Sequence, residues 1–166
     1  MRLVLAVEGV QNSMKENPDA TVADIVDFVK NQQMSSALKS YERINVLMYS
    51  VITPNFFKDQ EISKYAPVIE KITNGGVEMQ RHLIGAAEEL CVTKIEPKFF
   101  PVILKQLYDE DVLAEDIILE WASDGRSEYT PEAVDEETRA SLRGSAERFV
   151  AWLEADSDSD SDSDDE

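Results

Sequence analysis

The sequence has few of the side chains on which most enzymes and metal proteins depend. It contains one cysteine, Cys91, and one histidine, His82. A single cysteine excludes an intramolecular disulfide and fits a reducing, intracellular compartment. A single histidine excludes a histidine-rich metal site and leaves a Ser-His-Asp triad without a second choice of base. We therefore expect His82 to be an ordinary helix-surface residue and Cys91 to be a small buried apolar one.

The motifs that mark many nucleotide-binding and hydrolytic enzymes are also missing. The sequence has no GxxxxGK(S/T) loop, no GxGxxG fingerprint, no HExxH helix and no CxxC pair. Gly75 and Gly76 are not followed by Lys-Ser/Thr, so we interpret them as a helix C-cap and turn. The acidic residues of 109–120 lack the spacing and the central glycine of a calcium loop. We predict no catalytic residue, no metal site and no cofactor.

Long apolar runs are absent as well. The N-terminal stretch MRLVLAVEGVQ has only five apolar residues in a row before Glu8, too few for the core of a signal peptide. No segment approaches the roughly 20 apolar residues that span a bilayer. We expect a soluble protein with no membrane partner, in the cytoplasm or alternatively in the nucleus. Because the first residues already have the pattern of the middle of an amphipathic helix, we also expect the chain to come from a longer protein.

Basic residues are scarce in one half of the chain. The formal net charge is -18, from 34 acidic and 16 basic residues. Residues 1–99 have a net charge of -2, whereas residues 100–166 have 21 acidic and five basic residues and a net charge of -16. Such a surface repels nucleic acid and anionic membranes and attracts lysine-rich protein segments. We predict protein partners and no direct contact with nucleic acid.

Helical periodicity dominates the chain, and strand alternation is absent. Thr21 precedes apolar residues at helical spacing and predicts a helix start, and Pro54 should end the helix before it. The predicted helices lie near 2–16, from 22 onward, and near 35–53, 59–73, 76–93, 97–109, 112–122 and 133–155. The short breaks between them predict antiparallel neighbours, in either a helical bundle or a stacked helix-pair solenoid.

The segment FFPVILKQLYDEDVLAEDIILEW combines an apolar helix face with many acidic residues. At 3.6 residues per turn its apolar side chains fall within an arc of about 140°, with the acids outside that arc. The apolar face consists of Leu113, Ala114, Ile117, Ile118 and Trp121. We therefore predict that Trp121 is a core residue and that Glu115, Asp116 and Glu120 are solvated.

The predicted closing helix presents a second tryptophan differently. Its core face consists of Leu142, Ala146, Phe149, Val150 and Leu153. Trp152 falls on the edge of this face, beside Arg148 and shortly before Glu154 and Asp156. An edge tryptophan near carboxylates suits a lysine, because the ring accepts the aliphatic stem and the carboxylates accept the ammonium group. The alternative is a tryptophan that packs on a neighbouring helix.

From residue 156 the chain alternates serine and aspartate and has no apolar residue to bury. We predict a helical domain over 1–155 and a disordered acidic tail over 156–166. Four serines precede an acidic residue by three positions, a pattern that resembles acidophilic kinase sites. These phosphorylation candidates are Ser157, Ser159, Ser161 and Ser163. Each phosphate would add a charge of about -1.5 to -2.

The order of these segments resembles a known family. LYDEDVLAEDIILEW, followed by AERFVAWLE and an acidic tail, is similar to the paired aromatic and acidic boxes of a C-terminal helical repeat domain. That domain is shared by eukaryotic translation initiation factor 5 and the epsilon subunit of initiation factor 2B, and QRHLIGAAEEL resembles factor 5 more closely. The resemblance assigns to the first box Tyr108, Asp109, Glu110, Asp111, Glu115, Asp116, Glu120 and Trp121. It assigns to the second box Glu147, Phe149, Trp152, Leu153 and Glu154, to which we add Asp156 as a further partner-binding candidate.

The resemblance also implies a fold and a function. The fold would be all-α, with HEAT-like stacked antiparallel helix pairs. The function would be to bind lysine-rich segments of the initiation factor 2 beta subunit, together with initiation factor 3, initiation factor 1 and the 4G scaffold, and so to assemble the preinitiation complex. The GTPase-activating residues of the family lie in an N-terminal zinc domain that nothing here matches, so we expect no enzyme activity. The alternatives are a guanine-nucleotide-exchange domain of the epsilon type and a generic acidic scaffold or histone-chaperone-like protein that binds through its tail.

Overall fold

Helices account for all the regular structure of the described residues. The computed structural model describes the backbone of residues 2–164 and the side chains of residues 2–155. Over this range there is no β-strand, and two short 3₁₀ helices, Ser40–Glu42 and Pro97–Phe99, precede the third and sixth α-helices. The α-helices are α1 (Arg2–Glu16), α2 (Val22–Ser35), α3 (Arg43–Val51), α4 (Glu61–Thr73), α5 (Val77–Thr93), α6 (Phe100–Asp109), α7 (Glu115–Ser123), α8 (Glu136–Ser145) and α9 (Glu147–Asp164).

The helices stack in two layers. In one layer the odd-numbered helices from α1 to α9 are stacked, each in contact with the next odd-numbered helix. In the other layer the even-numbered helices from α2 to α8 are stacked in the same order. Contacts between consecutive helices, such as α1 with α2 and α5 with α6, join the two layers. This is the HEAT-like stack of helix pairs that the resemblance implies, so the predicted all-α fold is confirmed.

The apolar stripes of the helices meet between the layers. Fully buried side chains come from nearly every helix, and the largest of them are Phe56, Phe100, Ile44, Leu47, Met48, Ile52, Ile62, Ile69, Leu83, Ile84, Leu90 and Ile103. Cys91 is also fully buried, as predicted, and burial raises the pKa of its thiol to about 12. Burying an aliphatic side chain of this size stabilises a fold by about 1.5–3 kcal/mol, so the continuous core is the main source of stability.

Local signals set several helix ends as the sequence predicts. Thr21 caps α2: its hydroxyl accepts a hydrogen bond from the Asp24 amide, and the Asp24 carboxylate accepts one from the Thr21 amide. At the end of α4, Asn74 and Gly75 have left-handed φ angles of 50° and 69°. The turn predicted at the glycine pair is therefore confirmed, but the C-cap of α4 is Asn74, and Gly76 is the N-cap of α5.

The predicted helix over 35–53 begins too early. Ser36 ends α2, Ala37 has a left-handed φ of 56°, and α3 begins only at Arg43. The buried side chain of Gln33 stabilises this break, because it donates a hydrogen bond to the Leu38 carbonyl oxygen at 2.6 Å and accepts one from Arg43 at 2.7 Å. The helix does end before Pro54, as expected.

The predicted closing helix over 133–155 is two helices. α8 ends at Ser145 and α9 begins at Glu147, with Ala146 at the break. The Ser145 hydroxyl donates to the Leu142 carbonyl oxygen at 2.7 Å and competes with the backbone for it. The backbone assignment of α9 continues into the Ser/Asp run, but the described side chains end at residue 155. The predicted disorder of 156–166 lies outside the fully described residues and stays a prediction.

Candidate functional site

The first box lies on the end of α6, on the turn after it and on α7. Asp109 is the last residue of α6, and Asp111 has a left-handed φ of 62° in the turn that leads to α7. Residues 109–111 are all exposed, and we call them the acidic turn. Glu110 accepts a hydrogen bond from the Ser63 hydroxyl at 2.8 Å, which holds this turn against α4.

The acidic residues of α7 differ in their availability. Glu120 forms a bidentate ion pair with Arg81 of α5, with N–O distances of 3.1 and 3.0 Å. Asp116 is exposed, and its carboxylate accepts a hydrogen bond from the Ile117 amide at 3.0 Å. Glu115 is half-buried in the first turn of the helix. The exposed charge of the first box therefore lies on the acidic turn and Asp116, although Asp109, like Glu120, pairs with a basic residue of the chain.

Trp121 is a core residue, as predicted. Its side chain is 8% exposed and packs against Phe100, with ring centroids 5.3 Å apart. The guanidinium carbon of Arg139 lies 5.0 Å from the centroid of the tryptophan ring. The side chain of Trp121 therefore supports the site from within the core and exposes little surface to a partner.

A buried ion pair that the sequence analysis missed lies beside Trp121. Glu88 of α5 is 1% exposed and Arg139 of α8 is 6% exposed, with Glu88 Oε2 and Arg139 Nε 3.9 Å apart. Arg139 also donates to the carbonyl oxygens of Trp121 at 2.7 Å and Asp124 at 2.8 Å. Burial raises the pKa of Glu88 to about 7 and lowers that of Arg139. Desolvation therefore outweighs the mutual attraction of the pair, which nevertheless ties α5, α7 and α8 together.

The second box divides between core and surface as predicted. Phe149 is 8% exposed and Leu153 is fully buried, whereas Trp152 is 46% exposed. Glu147 pairs with Arg143 at 2.6 Å, and Arg143 also donates to the Ala122 carbonyl oxygen of α7. The second box is thereby held against the first.

Glu154 is exposed and forms no ion pair within the described side chains. The remaining candidates, Asp156, Ser157, Ser159, Ser161 and Ser163, lie outside the described side chains.

The two boxes meet at a cluster of three aromatic rings. Tyr108 of the first box contacts Phe149 and Trp152 edge-on, with centroid distances of 5.9 and 6.1 Å. Phe149 and Trp152 stack at 6.0 Å with an angle of 20° between their planes. We call these three residues the aromatic junction. It joins segments that are about 40 residues apart in the chain into one surface at the side of the acidic turn.

Lys105 also belongs to this surface, although the sequence analysis did not select it. Its ammonium nitrogen lies 2.9 Å from Asp109 Oδ2 and 5.7 Å from the centroid of the Trp152 ring. The i,i+4 spacing of Lys105 and Asp109 on one helix could have been read from the sequence. The contact of Lys105 with Trp152 could not be predicted from the sequence, because it depends on the packing of α9 against α6.

An open groove borders the aromatic junction. It has a volume of about 410 Å³ and a mainly apolar wall. The residues that line it are Pro101, Val102, Lys105, Ser145, Arg148, Phe149 and Trp152. The exposed face of Trp152 therefore opens into a space large enough for a side chain of another protein.

His82 is not the ordinary surface residue that we expected. Its ring is half-buried, stacks on Tyr41 with centroids 4.1 Å apart and meets Tyr129 edge-on at 4.8 Å. Burial lowers the pKa of the imidazole. A helical pattern could not predict this, because Tyr41 and Tyr129 come from distant parts of the chain.

The described residues offer neither a cluster of metal ligands nor a membrane-spanning helix. They contain no group of three or more His, Cys, Asp or Glu side chains that could hold a metal ion. None of the helices over the described range is long and apolar enough to cross a bilayer.

The second half of the chain matches a known protein family. The family model described as W2, eIF4-gamma/eIF5/eIF2-epsilon, matches residues 79–163, just over half of the sequence. The chain belongs to the W2 family. The matched part of this W2 domain begins on α5 and contains both boxes, the acidic turn and the aromatic junction.

Relatives of this W2 domain include translation initiation factors. Eukaryotic translation initiation factor 5 of Pongo abelii is 26% identical over 161 residues, which cover 87% of this chain and 36% of that protein. The Drosophila melanogaster factor 5 is 31% identical over 115 residues, covering 65% of this chain and 22% of that protein. The eIF5-mimic protein 2-A of Danio rerio is 24% identical over 144 residues, covering 80% and 32%. The chain thus spans about a third or less of the length of these relatives.

A solved structure agrees with the fold of this W2 domain. The C-terminal domain of translation initiation factor 5 at low pH superposes with a TM-score of 0.63 and 20% sequence identity, covering 95% of this chain and 96% of that one. The two chains share the all-helical fold. The resemblance drawn from the two boxes is therefore confirmed at the level of family and fold.

Proposed function

We propose that this W2 domain binds lysine-rich segments of other initiation factors through a surface built from both boxes. The first partner is the lysine-rich part of the initiation factor 2 beta subunit. The further partners are initiation factor 3, initiation factor 1 and the 4G scaffold, so that the domain helps to assemble the preinitiation complex in the cytoplasm. The domain acts by binding alone, without direct contact with nucleic acid or membrane.

The aromatic junction is the observation that carries this proposal. It places an exposed tryptophan from one box beside the acidic turn of the other, so that an aromatic face and carboxylates lie on one surface. A lysine side chain has an aliphatic stem that packs on an aromatic ring and an ammonium group that pairs with a carboxylate. The surface therefore offers both kinds of contact that a lysine-rich segment requires.

The charge distribution supports the same partner class. The net charge of -16 over residues 100–166 attracts a basic segment from a distance and raises its association rate. At physiological ionic strength the attraction between exposed charges is screened beyond about 8 Å, so the binding should weaken as salt is added. A binding mode that is purely apolar would not respond to salt in this way.

The acidic turn provides the sharpest test of the proposed surface. Neutralising all three of its carboxylates should weaken binding of an oligolysine peptide by about tenfold, at about 0.5 kcal/mol for each exposed charge. Isothermal titration calorimetry measures the affinity, and circular dichroism checks that the helices are retained. The variant combines Asp109→Asn, Glu110→Gln and Asp111→Asn.

A control variant separates local contacts from net charge. It changes the charge of the chain by the same amount at three exposed positions of the first half, with Asp19→Asn, Asp27→Asn and Glu70→Gln. This control should weaken binding by less than about threefold, since these side chains lie outside both boxes and supply only long-range attraction. An equal loss in both variants would show that only the total charge matters and would contradict the proposed surface.

The alternative functions predict different outcomes. In an acidic scaffold the tail binds, so deletion of residues 156–166 would remove most of the affinity, whereas a box-driven binder mainly loses association rate. The family description includes eIF2-epsilon, so an exchange function is also testable. We expect the isolated domain not to accelerate GDP release from initiation factor 2, and an acceleration would favour exchange.

A further inference from the structure

We propose that the two boxes form a lysine-binding cage and that the chain's own Lys105 fills this cage in the free protein. The cage consists of the Trp152 ring from the second box and the Asp109 carboxylate from the first. A lysine of the partner binds by taking the place of Lys105. This inference rests on the proposed function, because it states how a lysine-rich segment is recognised.

The contacts of Lys105 define the cage. Its ammonium group lies 2.9 Å from Asp109 Oδ2 and 5.7 Å from the centroid of the Trp152 ring. A partner lysine would seek the same two contacts, a carboxylate for the charge and an aromatic face for the cation and its stem. Because Asp109 and Trp152 belong to different boxes, neither box forms the cage alone. Tyr108 and Phe149 orient Trp152 through the aromatic junction.

The resident lysine is held in a way that allows exchange. The side chains of Lys105 and Asp109 are 54% and 49% exposed, and Trp152 is 46% exposed. Ion pairs that are this open to water contribute little to stability, and the lysine side chain is long and flexible. Lys105 can therefore leave the cage without any change in the helices.

The neighbouring groove provides room for the arriving side chain. Lys105 and Trp152 line it, together with the apolar side chains of Pro101, Val102 and Phe149. An aliphatic stem entering the groove would bury its methylene groups against this wall while its ammonium reaches Asp109. Arg148 also lines the groove, and its positive charge opposes an incoming lysine.

Removing the resident lysine tests the cage directly. The Lys105→Gln variant should bind an oligolysine peptide about three- to tenfold more tightly than the wild type, because the peptide no longer competes with an internal ligand. Isothermal titration calorimetry at physiological ionic strength measures the change. Lys105→Arg keeps a cation that pairs with carboxylates and aromatic faces at least as well as lysine does, so it should not bind the peptide more tightly than the wild type.

Two control variants remove the same charge without emptying the cage. Lys98 is exposed, lies 3.3 Å from Glu96 and 5.2 Å from the Phe99 ring centroid, and therefore resembles Lys105 in its surroundings. Lys98→Gln should change the affinity by less than about twofold. Arg148→Gln removes a charge within the groove itself, and should tighten binding less than Lys105→Gln does. If all three glutamine variants bind equally well, the cage is wrong.

A second readout follows Lys105 itself. In the free protein the ε-methylene protons of Lys105 should be shifted upfield by the ring current of Trp152, as measured by nuclear magnetic resonance. Saturation with oligolysine should return them to the position of a free lysine. If the resonances stay upfield at saturation, the peptide binds without displacing Lys105. That result would overturn the cage and leave the proposed function intact. Failure of the peptide to bind any variant would refute both.

Discussion

Glu88 offers a quantitative test of the buried network, through the pH dependence of stability. Burial raises its pKa from 4.5 to about 7, despite the opposing effect of Arg139. The folded protein therefore binds a proton more tightly than the unfolded chain, and this group's stabilising effect is complete below about pH 4.5 and lost as the pH rises through about 7. At about 1.4 kcal/mol for each pH unit, the full loss is about 3 kcal/mol.

The perturbation is Glu88→Gln, which keeps the shape of the side chain but cannot ionise. The free energy of unfolding of the variant and of the wild type is measured by urea denaturation at about pH 5 and about pH 8. We expect the wild type to lose about 2–3 kcal/mol relative to the variant between these values. All other titrating groups are common to both proteins, so their contributions cancel in the comparison. Glu70→Gln, which removes a carboxylate from an exposed position of α4, serves as the control.

Two results would refute this reasoning. Parallel pH profiles of the wild type and Glu88→Gln would mean that Glu88 has the same proton affinity in the folded and unfolded states. A wild type that gains stability over the variant as the pH rises would mean that attraction to Arg139 outweighs desolvation. Either result would mean that desolvation does not dominate the proton affinity of Glu88, despite its 1% exposure.

Three further predictions concern the packing of single residues. Gly85→Ala should destabilise the fold by about 1–3 kcal/mol, since a Cβ atom there would collide with the carbonyl oxygen of Tyr129 and force the backbone to shift. A Cβ atom at Gly144 meets no neighbour, so Gly144→Ala should instead stabilise α8 by up to about 1 kcal/mol. Thermal unfolding measures the stability of both variants. Equal effects would contradict the close approach at Gly85. Cys91, fully buried with a raised pKa, should react with a thiol reagent at neutral pH only after unfolding, and rapid labelling of the native protein would disprove its burial.

Much of the fold could be predicted because most helices carry their own signals. Thr21 predicts the start of α2, which it caps. The apolar stripe that includes Ile117, Ile118 and Trp121 correctly predicts a tryptophan in the core. The breaks that were missed depend on side chains acting on the backbone, as Gln33 does before α3 and Ser145 does before α9. Periodicity counts apolar positions and does not register such bonds.

The candidate site could be predicted only in part, for a related reason. The acidic and aromatic residues of both boxes are visible in the sequence, and the edge position of Trp152 follows from its helical angle. The pairing of Glu120 with Arg81 neutralises one of those acids, and the sequence does not indicate it because the partner lies 39 positions away. The contact of Lys105 with Trp152 is likewise a product of packing between α6 and α9.

The contrasting positions of the two tryptophans provide separate optical reporters. Trp121 and Trp152 are the only tryptophans of the chain, one almost fully enclosed and the other nearly half exposed. A neutral quencher such as acrylamide should reach Trp152 and spare Trp121 in the native protein. A partner that covers Trp152 would lower the fraction of the fluorescence that acrylamide quenches. In the same titration, the unquenched fraction, which comes from Trp121, would show whether the core is still intact.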